Sequence, residues 1–105
     1  NLLTRLPIEI GQLTQLTILD ISKNQLTKIP ESIGQLVKLI ELKLNNNKLK
    51  SLPSTITNLT KLNLLSVHHN QIRELPTDIG LLSNLSTLDV SHNRICSFPA
   101  QLGRL

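Results

Sequence analysis

Residues 39–61 read LIELKLNNNKLKSLPSTITNLTK, and the reading of this stretch decides the fold. Leu42-Lys43-Leu44 alternates apolar and polar side chains, the pattern of a short strand with one face buried. Asn47 follows between Leu44 and Leu49, where the chain must turn inward. A buried Asn amide both donates and accepts, so it can satisfy backbone groups that a turn leaves unpaired. Pro53 then fixes φ and stops strand pairing. Ile56 and Leu59 carry the apolar frame back across the opposite side. A unit of this length is too short to hold a strand and a long helix.

The same frame recurs along the chain without insertion or deletion. Asparagines stand at 1, 24, 47, 70 and 93, and prolines at 7, 30, 53, 76 and 99, each 23 residues after the last. All five prolines of the chain lie on that ladder. A half repeat over 1–15 precedes repeats over 16–38, 39–61, 62–84 and 85–105. Leu19-Asp20-Ile21, Leu65-Ser66-Val67 and Leu88-Asp89-Val90 are the equivalent strands, expected to stack about 4.8 Å apart into a parallel sheet. Asn24, Asn47, Asn70 and Asn93 form the expected structural ladder beside it. Gly11, Gly34, Gly80 and Gly103 follow an Ile or Leu of the return segment, where they are expected to allow a tight corner. Thr57 takes that place once, so glycine is preferred and not obligatory. Phe98 fills the slot of Leu6, Ile29, Leu52 and Leu75 and is expected in the core.

The pattern L-x-x-L-x-L-x-x-N-x-L resembles the leucine-rich-repeat superfamily over the whole chain. That resemblance implies an α/β, right-handed solenoid, curved, with a parallel sheet on the concave side and irregular or 3-10 segments on the convex side. The continuation L-P-x-x-I-G-x-L is similar to the intracellular, Ras-group class of 23-residue repeats, as in Ras-pathway scaffold and Roco-type proteins. The resemblance implies a protein–protein interaction module of a cytoplasmic signalling scaffold of the Ras/GTPase-pathway type, binding another protein through its concave face. Two alternatives stay open: a regulatory or targeting segment of a multidomain enzyme such as a Roco GTPase–kinase, and a bacterial or secreted recognition protein.

Composition narrows the function classes. One aromatic residue and no Trp, Tyr or Met leave a core of Leu, Ile and Val, one size repeated in every layer. The net charge of +4 is mild and its basic residues are scattered, without the interleaved aromatics of nucleic-acid binders, so no nucleic-acid partner is expected. Cys96 is the single cysteine, so the chain has no internal disulfide. No apolar stretch is long enough to span a bilayer, and membrane insertion is not expected. Sequons at Asn58-Leu59-Thr60 and Asn84-Leu85-Ser86 keep a secreted origin open without supporting it. The sequence carries no phosphate loop, paired-carboxylate geometry or nucleophile triad. No catalytic residue and no cofactor are expected in this segment, and any catalytic domain would lie outside it.

Between frame positions the residues change freely from repeat to repeat, in four columns expected to point outward. They are Ile18, Glu41, Leu64, Thr87; Asp20, Lys43, Ser66, Asp89; Ser22, Asn45, His68, Ser91; and Lys23, Asn46, His69, His92. A constant scaffold presenting a varied surface is the arrangement of a binding solenoid. The candidate contact residues are Ile18, Asp20, Lys23, Glu41, Lys43, Asn45, Leu64, Ser66, His68, His69, Asp89 and His92. Ile18 and Leu64 are read either as anchors for a partner's pocket or as ordinary surface aliphatics. His69 and His92 fall on adjacent repeats, yet zinc takes three or four ligands and no Cys or carboxylate joins them, so no metal is expected. A histidine patch that answers to pH is the other reading. The chain opens partway through a coil and closes before the next strand, so more repeats or caps are expected at both ends, over Leu3, Leu6 and Leu13 and over Leu102 and Leu105.

Overall fold

The computed structural model describes residues 3–96. Four three-residue strands form one parallel sheet in chain order: β1 (Ile18–Asp20), β2 (Glu41–Lys43), β3 (Leu64–Ser66) and β4 (Thr87–Asp89). Register follows the repeat, with Leu19, Leu42, Leu65 and Leu88 opposite one another. Each strand starts and ends one residue before the expected alternation. Pairing nevertheless runs past it, since the Leu44 N–H donates to the Ser66 carbonyl at 2.8 Å and that of Asn46 to His68 at 2.9 Å. Parallel neighbours joined by a crossover take the right-handed path almost without exception, giving a right-handed solenoid.

The convex side is made of short 3-10 helices: η1 (Ile8–Gln12), η2 (Glu31–Gln35), η3 (Ser54–Asn58) and η4 (Ile79–Leu81). The first three begin directly after Pro7, Pro30 and Pro53, whose φ values of −69°, −67° and −67° lie where the ring fixes them. Leu42, Leu44, Leu49, Ile56, Leu59 and Leu62 of one coil fill the space between sheet and helices, and all are fully buried. The next coil repeats this with Leu65, Val67, Ile72, Ile79 and Leu82. Layers of equal aliphatic size stack without fillers, which is why the core of the described residues is built of Leu, Ile and Val. In the first described coil Leu3 and Leu13 are exposed, while Leu6, Ile10 and Leu16 are partly buried. The slots of Asn1, Phe98, Pro99, Leu102, Gly103 and Leu105 lie outside the described residues.

The glycines have a different reason from the expected corner. No described glycine has positive φ. Gly34 is required by close approach of the next coil, because a Cβ there would stand 2.7 Å from Thr55 Cβ and 2.8 Å from its carbonyl oxygen. Gly11 meets Ser32 in the same way. The left-handed conformation appears instead at Lys23, Asn46, His69 and His92, with φ between 55° and 60°. These four residues form the turn after each strand. None is β-branched, which keeps the cost of that conformation modest.

The asparagines close the coils. Asn47 Oδ1 accepts from the Leu26 N–H at 3.0 Å, and its Nδ2 donates to the carbonyls of Leu44 at 3.0 Å and Ile21 at 3.1 Å. Asn70 does the same for Leu49, Val67 and Leu44. Both side chains are buried. Asn47→Ala removes the partner of buried backbone groups, and we expect a loss of about 1–3 kcal/mol in urea denaturation. An unchanged midpoint would show that these bonds carry no net stability.

Candidate functional site

Strand geometry puts alternate residues on opposite faces of the sheet. Leu42 and Leu65 therefore point into the core, and Glu41, Lys43, Leu64 and Ser66 point to the concave side. Asp20, Lys23, Lys43, Asn45, Leu64, Ser66, His68 and Asp89 line one shallow hollow of about 430 Å³, with Ser22 and Thr87. Ile18, at 56% exposure, stands on β1 beside that group, and Glu41 is half-buried on β2. Neither lines the hollow, and His69 and His92 lie beyond it in the turns that follow β3 and β4. The fourth column, Lys23, Asn46, His69 and His92, thus belongs to left-handed turns rather than to the strands.

Two carboxylates are fixed in place. Asp20 Oδ1 accepts from Ser22 Oγ at 2.6 Å and from the Ser22 N–H at 3.0 Å. Asp89 and Ser91 repeat this at 2.7 and 3.1 Å. The serine hydroxyl, then the serine N–H, hold both carboxylates below the usual range, helped by Lys43 and Lys23 at Asp20 and by His68 and His69 at Asp89. Both aspartates therefore stay charged on the concave side through mildly acidic conditions. Sequence reasoning passed over Ser22 and Ser91 as contacts. The signal was present in the recurring Asp-x-Ser, a spacing at which a serine reaches back to a carboxylate two residues earlier.

The histidines gather at the far end of the face. His68 Nδ1 and His69 Nδ1 lie 2.7 Å apart, a contact that needs one ring to donate and the other to accept. The His69 ring stacks on His92 with centroids 4.1 Å apart and planes 20° apart. Among the described residues, no group of three or more His, Cys, Asp or Glu is arranged to hold a metal ion. Cys96 is exposed. No helix of the described residues is long and apolar enough to cross a membrane.

A solenoid with an invariant inner frame and a varied, partly charged inner face is a repeat architecture built to present side chains. The chain belongs to the leucine-rich-repeat family: a family model for a leucine-rich repeat region matches residues 1–71, and a leucine-rich-repeat model matches 84–105. Domains of this family generally serve protein–protein interaction and are typically non-catalytic. No curated protein matches the chain at significance. Among solved structures it is similar to a leucine-rich-repeat protein of Leptospira interrogans, at 37% identity and a TM-score of 0.97, covering 100% of this chain and 27% of that one. An internalin of Listeria monocytogenes follows at 35% identity and a TM-score of 0.81, covering 97% of this chain and 29% of that one. The ectodomain of the plant receptor kinase GASSHO1/SCHENGEN3 of Arabidopsis thaliana, solved in complex with Casparian strip integrity factor 2, shares 36% identity and a TM-score of 0.82 over 93% of this chain and 12% of its own. The chain thus spans about a quarter of the length of the Leptospira protein.

Partial desolvation, then the positive charges of His92 and His68, lower the titration of His69, and Asp89 opposes this. A depressed histidine favours the neutral ring in the fold. Its contribution to stability is complete above the unfolded value of about pH 6.5 and is lost as pH falls through the lower folded value. In an NMR titration of the imidazoles, His69 should protonate below the ordinary histidine range, and His92→Ala should raise it. A His69 midpoint at or above that range would remove the stacked, hydrogen-bonded cluster from the account.

Proposed function

We propose that this chain is a protein-binding segment that grips its partner across the concave face, with any chemical step assigned to sequence outside it. One observation carries the reading. The frame is the same in every coil, while the residues that differ (Asp20, Lys43, Leu64, Ser66 and Asp89) converge on one hollow. The plant ectodomain solved in complex with Casparian strip integrity factor 2 supports the use of such a solenoid for holding a partner. Ile18 and Leu64 supply apolar contact, and the row Asp20, Lys43, Ser66, Asp89, with its two fixed carboxylates and one lysine, gives charge selectivity. Lys23, Asn45 and His68 complete the lining of the hollow, and Glu41, His69 and His92 extend the contact beyond it.

The finer assignment is a cytoplasmic scaffold of the Ras-group type, supported by the recurring L-P-x-x-I-G-x-L segment and by a frame free of paired cysteines. Similarity to the Leptospira and Listeria proteins favours a second reading, a bacterial recognition protein. Fractionation of the source cells separates them: a cytosolic protein supports the first, a surface or released protein the second.

The face itself is tested by pulldown with the native partner. Glu41→Ala, Lys43→Ala, Leu64→Ala and His69→Ala, combined, should abolish capture while the thermal transition is retained. Lys38→Ala and Lys61→Ala, both exposed and outside the hollow, should leave capture intact. Loss of binding in the lysine controls alone would place the contact elsewhere.

A further inference from the structure

Two departures from the repeat fall together on the convex side. The second residue after each proline forms a column, Glu9, Ser32, Thr55 and Asp78. Ser32 Oγ donates to the Ile8 carbonyl at 2.6 Å, and Thr55 Oγ1 donates to the Glu31 carbonyl at 2.7 Å. These rungs tie η2 to η1 and η3 to η2. Asp78 stands at the next rung, and an ionised carboxylate has no proton to give to the Ser54 carbonyl. That carbonyl accepts instead from Thr57 Oγ1 in its own coil, at 2.8 Å.

The glycine column breaks at the same step. A Cβ on Gly34 would come within 2.7 Å of Thr55 in the next coil. Thr57 occupies the position equivalent to Gly34, carries that Cβ, and has Asp78 as its counterpart of Thr55. The two coils cannot close to the earlier spacing there. Accordingly η4 covers only Ile79–Leu81, where η1, η2 and η3 each begin at the residue after the proline, and Thr77 and Asp78 form a non-helical turn. Between η3 and this turn a cleft of about 260 Å³ opens, with Ser54, Thr57, Asn58, Thr77 and Asp78 among its walls.

We propose that this cleft is a second contact site, on the side away from the concave face, and that it takes the guanidinium of a partner's arginine. Asp78 is the one charged residue of its lining, and Asn58 and the hydroxyl-bearing Ser54, Thr57 and Thr77 surround it with further groups able to accept. The Asp78 side chain makes no capping bond to η4. A guanidinium is flat, bears a positive charge and presents five donors, which suits a slot between two coils lined by acceptors. An acidic side chain would be repelled, and an aliphatic one would leave the acceptors unpaired. The site does not depend on the concave reading, because none of its residues lines the concave hollow.

The test is an NMR titration of the full chain with methylguanidinium, with methylurea as its neutral counterpart and sodium chloride at matched ionic strength. Methylguanidinium should shift the amides of Thr57, Asn58, Thr77 and Asp78 saturably. Methylurea and salt should not, and Lys43 and Ser66 on the concave side should stay still. Asp78→Asn should weaken binding at least tenfold. The pair Thr57→Gly with Asp78→Ser removes the Cβ, restores the missing rung and should abolish binding while raising the thermal midpoint. Three results overturn the proposal: no saturable shift with methylguanidinium, equal shifts with methylurea, or shifts that survive in both Asp78→Asn and the restored pair.

Discussion

Each buried asparagine of the ladder holds two coils at once. Asn47 accepts from Leu26 in the preceding coil and donates to Leu44 in its own, with a second bond to Ile21 behind it. The turn it closes buries backbone groups that water cannot reach, and leaving them unpaired would cost more than a surface hydrogen bond returns. This constraint fixes where the chain leaves the sheet, and so fixes strand register and the depth at which the leucines stack. It also places the left-handed residue, Lys23, Asn46, His69 or His92, immediately before the asparagine.

Function follows from what this leaves free. Core positions are bound to one size because each layer must match its neighbours. The concave positions point away from the core, so Ile18, Glu41 and Leu64 can differ at one register point. The same freedom exists on the convex side only where the coils stand apart. Beside Gly11 and Gly34 the next coil packs against the glycine itself, whereas at Thr57 and Asp78 a cleft opens in the equivalent place. Variation within a rigid repeat therefore has different consequences on the two sides: a new side chain on the sheet, a new cavity on the helices.

Period alone made the register, the core and the sheet order legible in the sequence, because a fixed step of apolar residues admits one stacking. The concave columns at Glu41, Lys43, Leu64 and Ser66 were legible for the same reason. Strand ends were misplaced by one residue, since alternation marks burial rather than pairing, and Leu44 is buried just past β2. The glycine reason was misread as a corner because sequence spacing does not give the distance between coils, and 2.7 Å to Thr55 is a distance between coils. The locked Asp20 and Asp89, the stacked His69 and His92 and the open cleft at Thr57 depend on side-chain direction in three dimensions. Their residues were visible in the sequence, but their meeting was not.

Hydrogen exchange at single amides tests the central claim most directly, because the ladder acts across coils. The Leu49 N–H donates to Asn70 Oδ1 in the coil after it, whereas the Ile72 N–H donates to Asn93. In Asn70→Ala the Leu49 amide should lose protection far more than that of Ile72, although Ile72 is much closer in sequence to the changed residue. Equal acceleration at both amides, or an unchanged Leu49, would contradict an asparagine that holds the preceding coil.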